Sequence, residues 1–416
     1  MKVTLISNSD LLGGASVVTY RLMQALRCEG IDARMVVYTK LTEDESVEVV
    51  GTRSSRGAMF LWERAQIYMC NGLNRDNLFK VSVANVGYSV HKHPWVKDAD
   101  IIVLAWINQG LLSLKGVRRL SELGKPIVWT MHDMWNLTGI CHHASDCTRY
   151  KEECGLCPLL GARKYKDLSH RTWLRKKQLY DRVPIRFVAV SNWLAERCKE
   201  SKLLGDQDIE VIPNAFPVDS FLTSTSLHLL NLGIDYSRSL ILMGGARLDD
   251  HVKGLPYAIE ALNYIFDNHP EVARKSQVVF FGNIRHPEVL DQLRFPYVWI
   301  GRVADPKSLR LLYAAGKVVL SSSLYETLPG TLIEGQAAGC LPVTFGRGGQ
   351  SDIVTHLTDG YIAEYLNPRS LAEGIMWALR KEPDRAQLHE SVRARFASST
   401  VAKRYINLFN RILNKE

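Results

Sequence analysis

Short apolar runs alternate with helix-length amphipathic stretches along almost the whole chain. In the first half the runs fall at 3–7, 34–38, 101–105, 127–130, 187–190 and 210–212. In the second half they fall at 240–243, 278–281, 298–300, 318–321, 342–345 and 361–363. Strands that alternate with helices predict parallel sheets covered on both faces. The expected architecture is therefore α/β, with one doubly wound sheet in each half. A stretch containing Ser, Thr and Pro at 213–233 marks the seam. We expect a first domain over 1–216, a second over 217–398 and a final helix over 399–416. Ligands of open α/β sheets bind beyond the carboxyl ends of the strands, so two such sheets facing each other would enclose one deep cleft.

The densest chemistry follows the apolar run that ends at Leu320. Ser321, Ser322 and Ser323 lead to Glu326, then to Pro329 and Gly330, and then to a helix carrying Glu334, eight residues after the first carboxylate. Pro329 suits the first helical position, where its missing N–H would be unpaired anyway. The following amides, at Thr331 and Leu332, point beyond the strand end, where the helix dipole favours an anion. Carboxylates do not bind phosphate, and sugar hydroxyls are their natural partners. The segment therefore suggests a nucleotide-sugar site.

A second constellation starts at Gly244 and Gly245, read as a glycine turn, with Arg247 at the strand's carboxyl end and Lys253-Gly254 opening the next helix. An Arg fork and a Lys point charge at this spacing can clamp a diphosphate; as an ordinary surface pair they would simply be solvated. Gly13 and Gly14 follow the first strand and precede a helix, which lets backbone approach an anion closely. The G-x-G-x-x-G dinucleotide fingerprint is not met, and a tight turn explains the pair equally well. His132 and Asp133 lie just past a strand, between Trp129 and Trp135.

Glu326-x7-Glu334, followed by Ala337-Ala338-Gly339-Cys340-Leu341-Pro342, resembles the signature of family-4 retaining glycosyltransferases. The resemblance covers nearly the whole chain and is strongest from Leu240 to Glu364. It implies the GT-B architecture, two Rossmann-like domains facing across a cleft, with the last helix crossing back to the first domain. It implies that Arg247 and Lys253 neutralise a nucleotide-diphosphate leaving group. By the same resemblance Glu326 meets the transferred sugar, Glu334 the ribose, Thr331 and Leu332 the phosphates, and Arg302 (in Gly301-Arg302-Val303) the base. Gly14 is implied at the donor's diphosphate and His132 at the transferred sugar. The reaction implied is front-side displacement, with the departing phosphate taking the acceptor's proton and no catalytic metal or other cofactor. The chain departs from the pattern after the second Glu, where two residues rather than one separate Gly339 from Pro342. A 2-epimerase-like enzyme on the same fold and a non-catalytic binder of nucleotide-sugar or glycan stay open as alternatives. Phosphorylases of this architecture need a pyridoxal-bearing Lys, for which no motif stands out.

Composition narrows the setting. The 416 residues are 46% hydrophobic and 23% charged, with net charge +9 and pI about 9.1. A mild positive excess suits anionic ligands or anionic membrane, and no zinc-finger, basic-zipper or RNA-recognition pattern supports nucleic acid. The first residues read as a strand and not as a signal peptide, and no apolar run approaches bilayer length. A cytoplasmic protein acting in bacterial surface polysaccharide assembly is expected, with a glycan or lipid-linked acceptor.

Two features exceed this account. Cys141, Cys147, Cys154 and Cys157 fall within seventeen residues. Their C-x2-C end has metal-ligand spacing, and four thiolates would suit a structural zinc; two disulfides or neighbouring free thiols are the alternatives. Generic family members lack this insertion, whereas some bacterial polysaccharide-type members look similar here. The stretch 161–182 carries eight Lys or Arg residues interleaved with Trp173, Leu174, Leu179 and Tyr180. It is either a solvated helix face or a surface that docks on anionic lipid.

Overall fold

The computed structural model describes residues 1–161, 164–221 and 232–414, with the backbone alone at 53–56. Much of the expected seam, and Arg163 of the basic stretch, lie outside the described residues. The chain divides into two compact units, Met1–Ala215 with Val401–Glu416, and Phe216–Thr400.

The first unit holds β1 (Lys2–Ser9), β2 (Asp32–Thr39), β3 (Val47–Val49), β4 (Ile101–Leu104), β5 (Ile127–Met131), β6 (Ile185–Ala189) and β7 (Ile209–Val211), in the order β3-β2-β1-β4-β5-β6-β7. Every pairing is parallel. The second holds β8 (Ser239–Arg247), β9 (Ser276–Asn283), β10 (Tyr297–Trp299), β11 (Val318–Ser321), β12 (Leu341–Phe345) and β13 (Tyr361–Ala363), in the order β10-β9-β8-β11-β12-β13. Its pairings are parallel as well. Both sheets are wound outward from their first strand. The switch points, where ligands of such sheets gather, therefore lie at β1/β4 and at β8/β11.

Central strands are apolar on both faces because helices cover both faces. All four residues of β4 and all five of β5 are buried. The helix Ser398–Asn414 lays Val401, Ala402, Tyr405, Leu408 and Phe409 into the same core as Val3, Leu5 and Val103. Its Tyr405 hydroxyl meets Thr130 Oγ1 at 2.9 Å. β3 escapes the sequence pattern because it is a three-residue edge strand with Glu48 at its centre. Two expectations about local structure change. β8 continues through Gly244 and Gly245 to Arg247, with a register shift in place of a glycine turn. The helix expected from Pro329 runs Gly330–Ala337, so Pro329 caps it from outside.

Asp10 ties the end of β1 to the loop after β2. Its buried carboxylate accepts from Leu41 N (2.9 Å), Thr42 N (2.8 Å) and Thr42 Oγ1 (2.8 Å). Burial alone would raise its pKa, but the Thr42 and Leu41 hydrogen bonds outweigh burial and hold it below the ordinary 3.8. The contribution to stability is therefore complete above 3.8 and is lost as pH falls through the lower folded value. Asp10→Ala, which strands these donors, should cost about 1–3 kcal/mol in denaturant titrations. Asp10→Asn should flatten the acid limb of the stability curve.

Candidate functional site

In the second unit, glycines bring the strand-end loops together. Gly282, at the end of β9, has φ +119°, and a Cβ there would sit 1.8 Å from the Gly245 carbonyl oxygen. The Gly282 amide also donates to the Gly301 carbonyl at 2.7 Å, which draws the Arg302 loop to the same edge. Arg302 itself is exposed. Arg247 ends β8 with its guanidinium about a third exposed, donating through Nη2 to Asp250 Oδ2 at 2.7 Å. Asp249 Oδ1 lies 3.7 Å from Arg247 Nε.

Lys253 sits on the short turn His251–Lys253, which Asp250 caps by accepting from Val252 N. Gly254 follows at φ +61°, where a Cβ would lie 2.1 Å from the Ser322 carbonyl oxygen. Ser322 Oγ donates to the Lys253 carbonyl at 3.0 Å, and Leu324 N donates to the Val252 carbonyl at 2.8 Å. The segment after β8 is thereby zipped to the segment after β11. The Lys253 ammonium forms an ion pair with Glu326, whose Oε1 also accepts from Ser323 Oγ at 3.1 Å. Burial works against the ammonium, but the Glu326 charge and hydrogen bond outweigh it and the net shift is upward. Lys253 is therefore a cation at neutral pH.

The glycine loop after β12 closes this group. Gly349 N donates to the Glu326 carbonyl at 2.7 Å. Gly348, at φ +124°, leaves 2.3 Å between a Cβ and that same oxygen. Gln350 is fully buried and reaches Ser323 O at 3.4 Å. The parts played by Gln350 and Ser323 are not legible in the sequence, because a Gln in a glycine loop and one Ser of three carry no pattern. Thr331 and Glu334 are half-buried on the helix Gly330–Ala337. The buried Leu332 already spends its amide on the Pro329 carbonyl at 3.2 Å.

In the first unit, Gly13 takes φ +89° and caps the helix Gly14–Cys28 at the β1 switch point. No heavy atom lies within 4 Å of a Cβ position at Gly13 or Gly14. The backbone angle explains Gly13, but crowding does not explain Gly14. His132 follows β5, with Nε2 at 3.4 Å from Thr19 Oγ1. The Thr19 hydroxyl spends its proton on the Ala15 carbonyl at 2.7 Å, so this contact needs the proton on Nε2. Nδ1 then carries a lone pair, and it has no hydrogen-bond partner among the described residues. Burial pushes the imidazole pKa down to about 4, against the pull of Asp133 and Asn214, so the ring is neutral at neutral pH.

Asp133 serves a different histidine. It accepts from His142 Nδ1 at 2.6 Å, Trp106 Nε1 at 3.0 Å and Trp135 N at 2.8 Å. Burial would raise its pKa, but His142 and these bonds outweigh burial and hold it at about 2. His142 Nε2 meets Ser82 Oγ at 3.1 Å. His142 lies nine residues downstream, among the cysteines.

Cys141, Cys147, Cys154 and Cys157 line one cavity of about 600 Å³. The zinc expectation is not supported. Among the described residues, no group of three or more His, Cys, Asp or Glu side chains is arranged to hold a metal ion. All four thiols are free. Burial raises the thiol pKa of Cys154 to about 12 and that of Cys157 to about 11. The basic stretch is only partly a surface. Lys176 is fully buried, with Nζ bonded to the carbonyls of Trp135 and Thr138 and 3.4 Å from the centre of the Trp135 ring. It pins the helix Leu168–Tyr180 to the loop that follows His132 and Asp133.

Comparison with known proteins agrees with the fold. The Anabaena protein HepE, crystallised with UDP and glucose, superposes with TM-score 0.64 at 15% identity, over 99% of each chain. WaaG, a glycosyltransferase involved in lipopolysaccharide biosynthesis, superposes with TM-score 0.61 at 13% identity, over 98% of this chain and 99% of its own. At such identities the likeness shows the GT-B fold alone. Spore coat protein SA of Bacillus subtilis is 27% identical over 43% of this chain and 50% of its own. WcaC of Escherichia coli, a glycosyl transferase named for colanic acid biosynthesis, is 35% identical over 21% of this chain and 22% of its own. The matches thus span half or less of these curated relatives. Among the described residues, no helix is long and apolar enough to cross a membrane. The family description "Glycosyl transferases group 1" matches residues 239–395, and "Glycosyltransferase Family 4" matches 12–220. With half the chain matched by the latter, and the strand-end loops of the second unit lying within the former, the chain belongs to glycosyltransferase family 4.

Proposed function

We propose that this protein transfers a sugar, with retention, from a nucleotide-diphospho-sugar to a hydroxyl of a glycan or lipid-linked acceptor in surface polysaccharide assembly. The observation that carries the reading is the convergence of Arg247, Lys253 and Glu326 on one sheet edge, beside the N-terminus of the helix Gly330–Ala337. Two fixed cations suit a leaving diphosphate. They act on charge that develops in the transition state, where such contacts are worth most. Glu326 is assigned to hydroxyls of the transferred sugar and Glu334 to the ribose. Thr331 is assigned to the phosphates and Arg302 to the base. In the first unit, Gly14 is assigned to the diphosphate, in keeping with the open space above it, and His132 to the sugar.

In the reaction, the acceptor oxygen bonds to the anomeric carbon on the face the phosphate leaves. The carbon–oxygen bond to phosphate breaks, and the acceptor's proton passes to the departing phosphate oxygen. A neutral His132 fits a role in holding a sugar hydroxyl, because no protein base is required. No catalytic metal enters this scheme. A glycan or lipid-linked acceptor and contact with an anionic membrane complete the proposal.

Melting of the protein against UDP, GDP and ADP and their sugar conjugates tests the donor assignment. A ligand at a hundred times its Kd adds about 2.7 kcal/mol, which is several degrees for units of this size. One nucleotide class should give the shift, and Arg247→Ala and Glu334→Ala should abolish it. If every nucleotide leaves the melting point unchanged, the donor assignment fails. In transfer or donor-hydrolysis assays, Arg247→Ala should lower kcat on the order of 100- to 1000-fold.

His132 gives a separate test. Its folded pKa of about 4 lies below the unfolded 6.5, so the native state resists protonation. Its contribution to stability is complete above 6.5 and is lost as pH falls through 4. His132→Gln should reduce the dependence of unfolding free energy on pH across that window. An unchanged slope would place the ring in solvent.

A further inference from the structure

The helix Arg53–Cys70 is turned inside out. From residue 57 onward its exposed positions are Gly57, Ala58, Leu61, Trp62, Ala65 and Met69. The last five follow helical spacing and form one apolar stripe, with Leu61 65%, Trp62 55% and Met69 57% exposed. Surface helices ordinarily present the opposite face to water. From residue 57 onward the charged residues, Glu63 and Arg64, face inward. Glu63 is fully buried and accepts from Val83 N at 2.9 Å and Ala84 N at 3.1 Å. Arg64 pairs with Glu63 at 3.3 Å and donates to the Leu78 and Val81 carbonyls. Glu63 Oε2 and Arg64 Nε are buried without hydrogen bonds, but the four backbone contacts of Glu63 Oε1 and Arg64 Nη1 hold the pair in place and orient the helix with its apolar stripe outward.

The stripe has a basic border. Met69 shares a cavity of about 660 Å³ with Arg171, Leu174 and Arg175 of the helix Leu168–Tyr180. The exposed positions of that second helix are Arg171, Leu174, Arg175 and Gln178, so neither helix exposes an acidic side chain. Phe79 is 66% exposed and stacks on Phe60. The backbone at Met59 packs on Gly110, where a Cβ would meet it at 3.0 Å. This places the stripe helix on the segment after β4, at the carboxyl edge of the sheet that also carries His132.

We propose that this face docks on an anionic lipid bilayer, with the stripe from Ala58 to Met69 entering the boundary between headgroups and acyl chains and Arg171 and Arg175 on lipid phosphates. An apolar face with cationic flanks has the chemistry of an interfacial helix. A second copy of this chain fits less well, because face-to-face pairing would set arginines against arginines. The inference rests on the lipid-linked acceptor reading for its purpose, but it is measured without turnover.

The test is flotation of the full chain with phosphatidylcholine vesicles, with and without phosphatidylglycerol. Binding should need phosphatidylglycerol and weaken with salt. Leu61→Ser with Trp62→Ser should weaken it on the order of tenfold or more. Arg171→Gln and Arg175→Gln should each cost roughly fivefold. Melting points and nucleotide-induced shifts should match wild type in all these variants, because the altered side chains are exposed. Wild type that floats with neither vesicle overturns the proposal. So does unchanged binding in the Leu61/Trp62 variant, or a loss of self-association in that variant without loss of vesicle binding. Vesicle binding that persists while no nucleotide shifts the melting point supports the docking face and counts against the donor assignment alone.

Discussion

Each sheet is parallel throughout, so the loops that follow its strands all open on one edge. That constraint decides where chemistry can sit. Arg247, Lys253, Glu326 and Gly348 come from segments spread over about a hundred residues, yet they meet because β8, β11 and β12 are neighbours pointing the same way. In the other unit the same geometry places Gly14 after β1 and His132 after β5.

Charge is balanced locally within the second unit. Arg247 rests on Asp250, and Lys253 rests on Glu326. Neither cation stands bare in a half-buried loop, where an unpaired charge would be costly. A diphosphate would offer both a stronger partner, and the carboxylates would then be released for hydroxyl groups. The first unit follows another rule. His132 is kept neutral by burial, while Asp133 stays ionised through His142 and two further donors. Two adjacent titratable residues are thus held in fixed and different states.

Most strands were legible in the sequence because buried parallel strands are continuous apolar runs, and 318–321 and 361–363 match to the residue. β3 was not, since an edge strand of three residues is decided by its neighbour and not by its own composition. The placing of Glu326 after β11 and of Glu334 on the helix that follows was legible, because a fixed spacing links them. Partner choice was not. Asp133 next to His132 looks like a pair, and only the folded loop shows the carboxylate turned to His142. Lys176 looks like one more surface cation within a basic run, and only packing shows it buried over Trp135. The cysteines have metal-like spacing, but spacing along a chain does not fix where side chains converge.

The glycines divide into two kinds. At Gly254, Gly282 and Gly348 a neighbouring carbonyl oxygen occupies the space a side chain would need, and the backbone angle is one that other residues resist. Gly14 has open space above it. In a saturation library the first three positions would vary in protein abundance, whereas Gly14, under the assignment proposed for it, would vary in ligand capture at constant abundance. Comparing those two readouts would separate scaffold from chemistry even before the acceptor is identified.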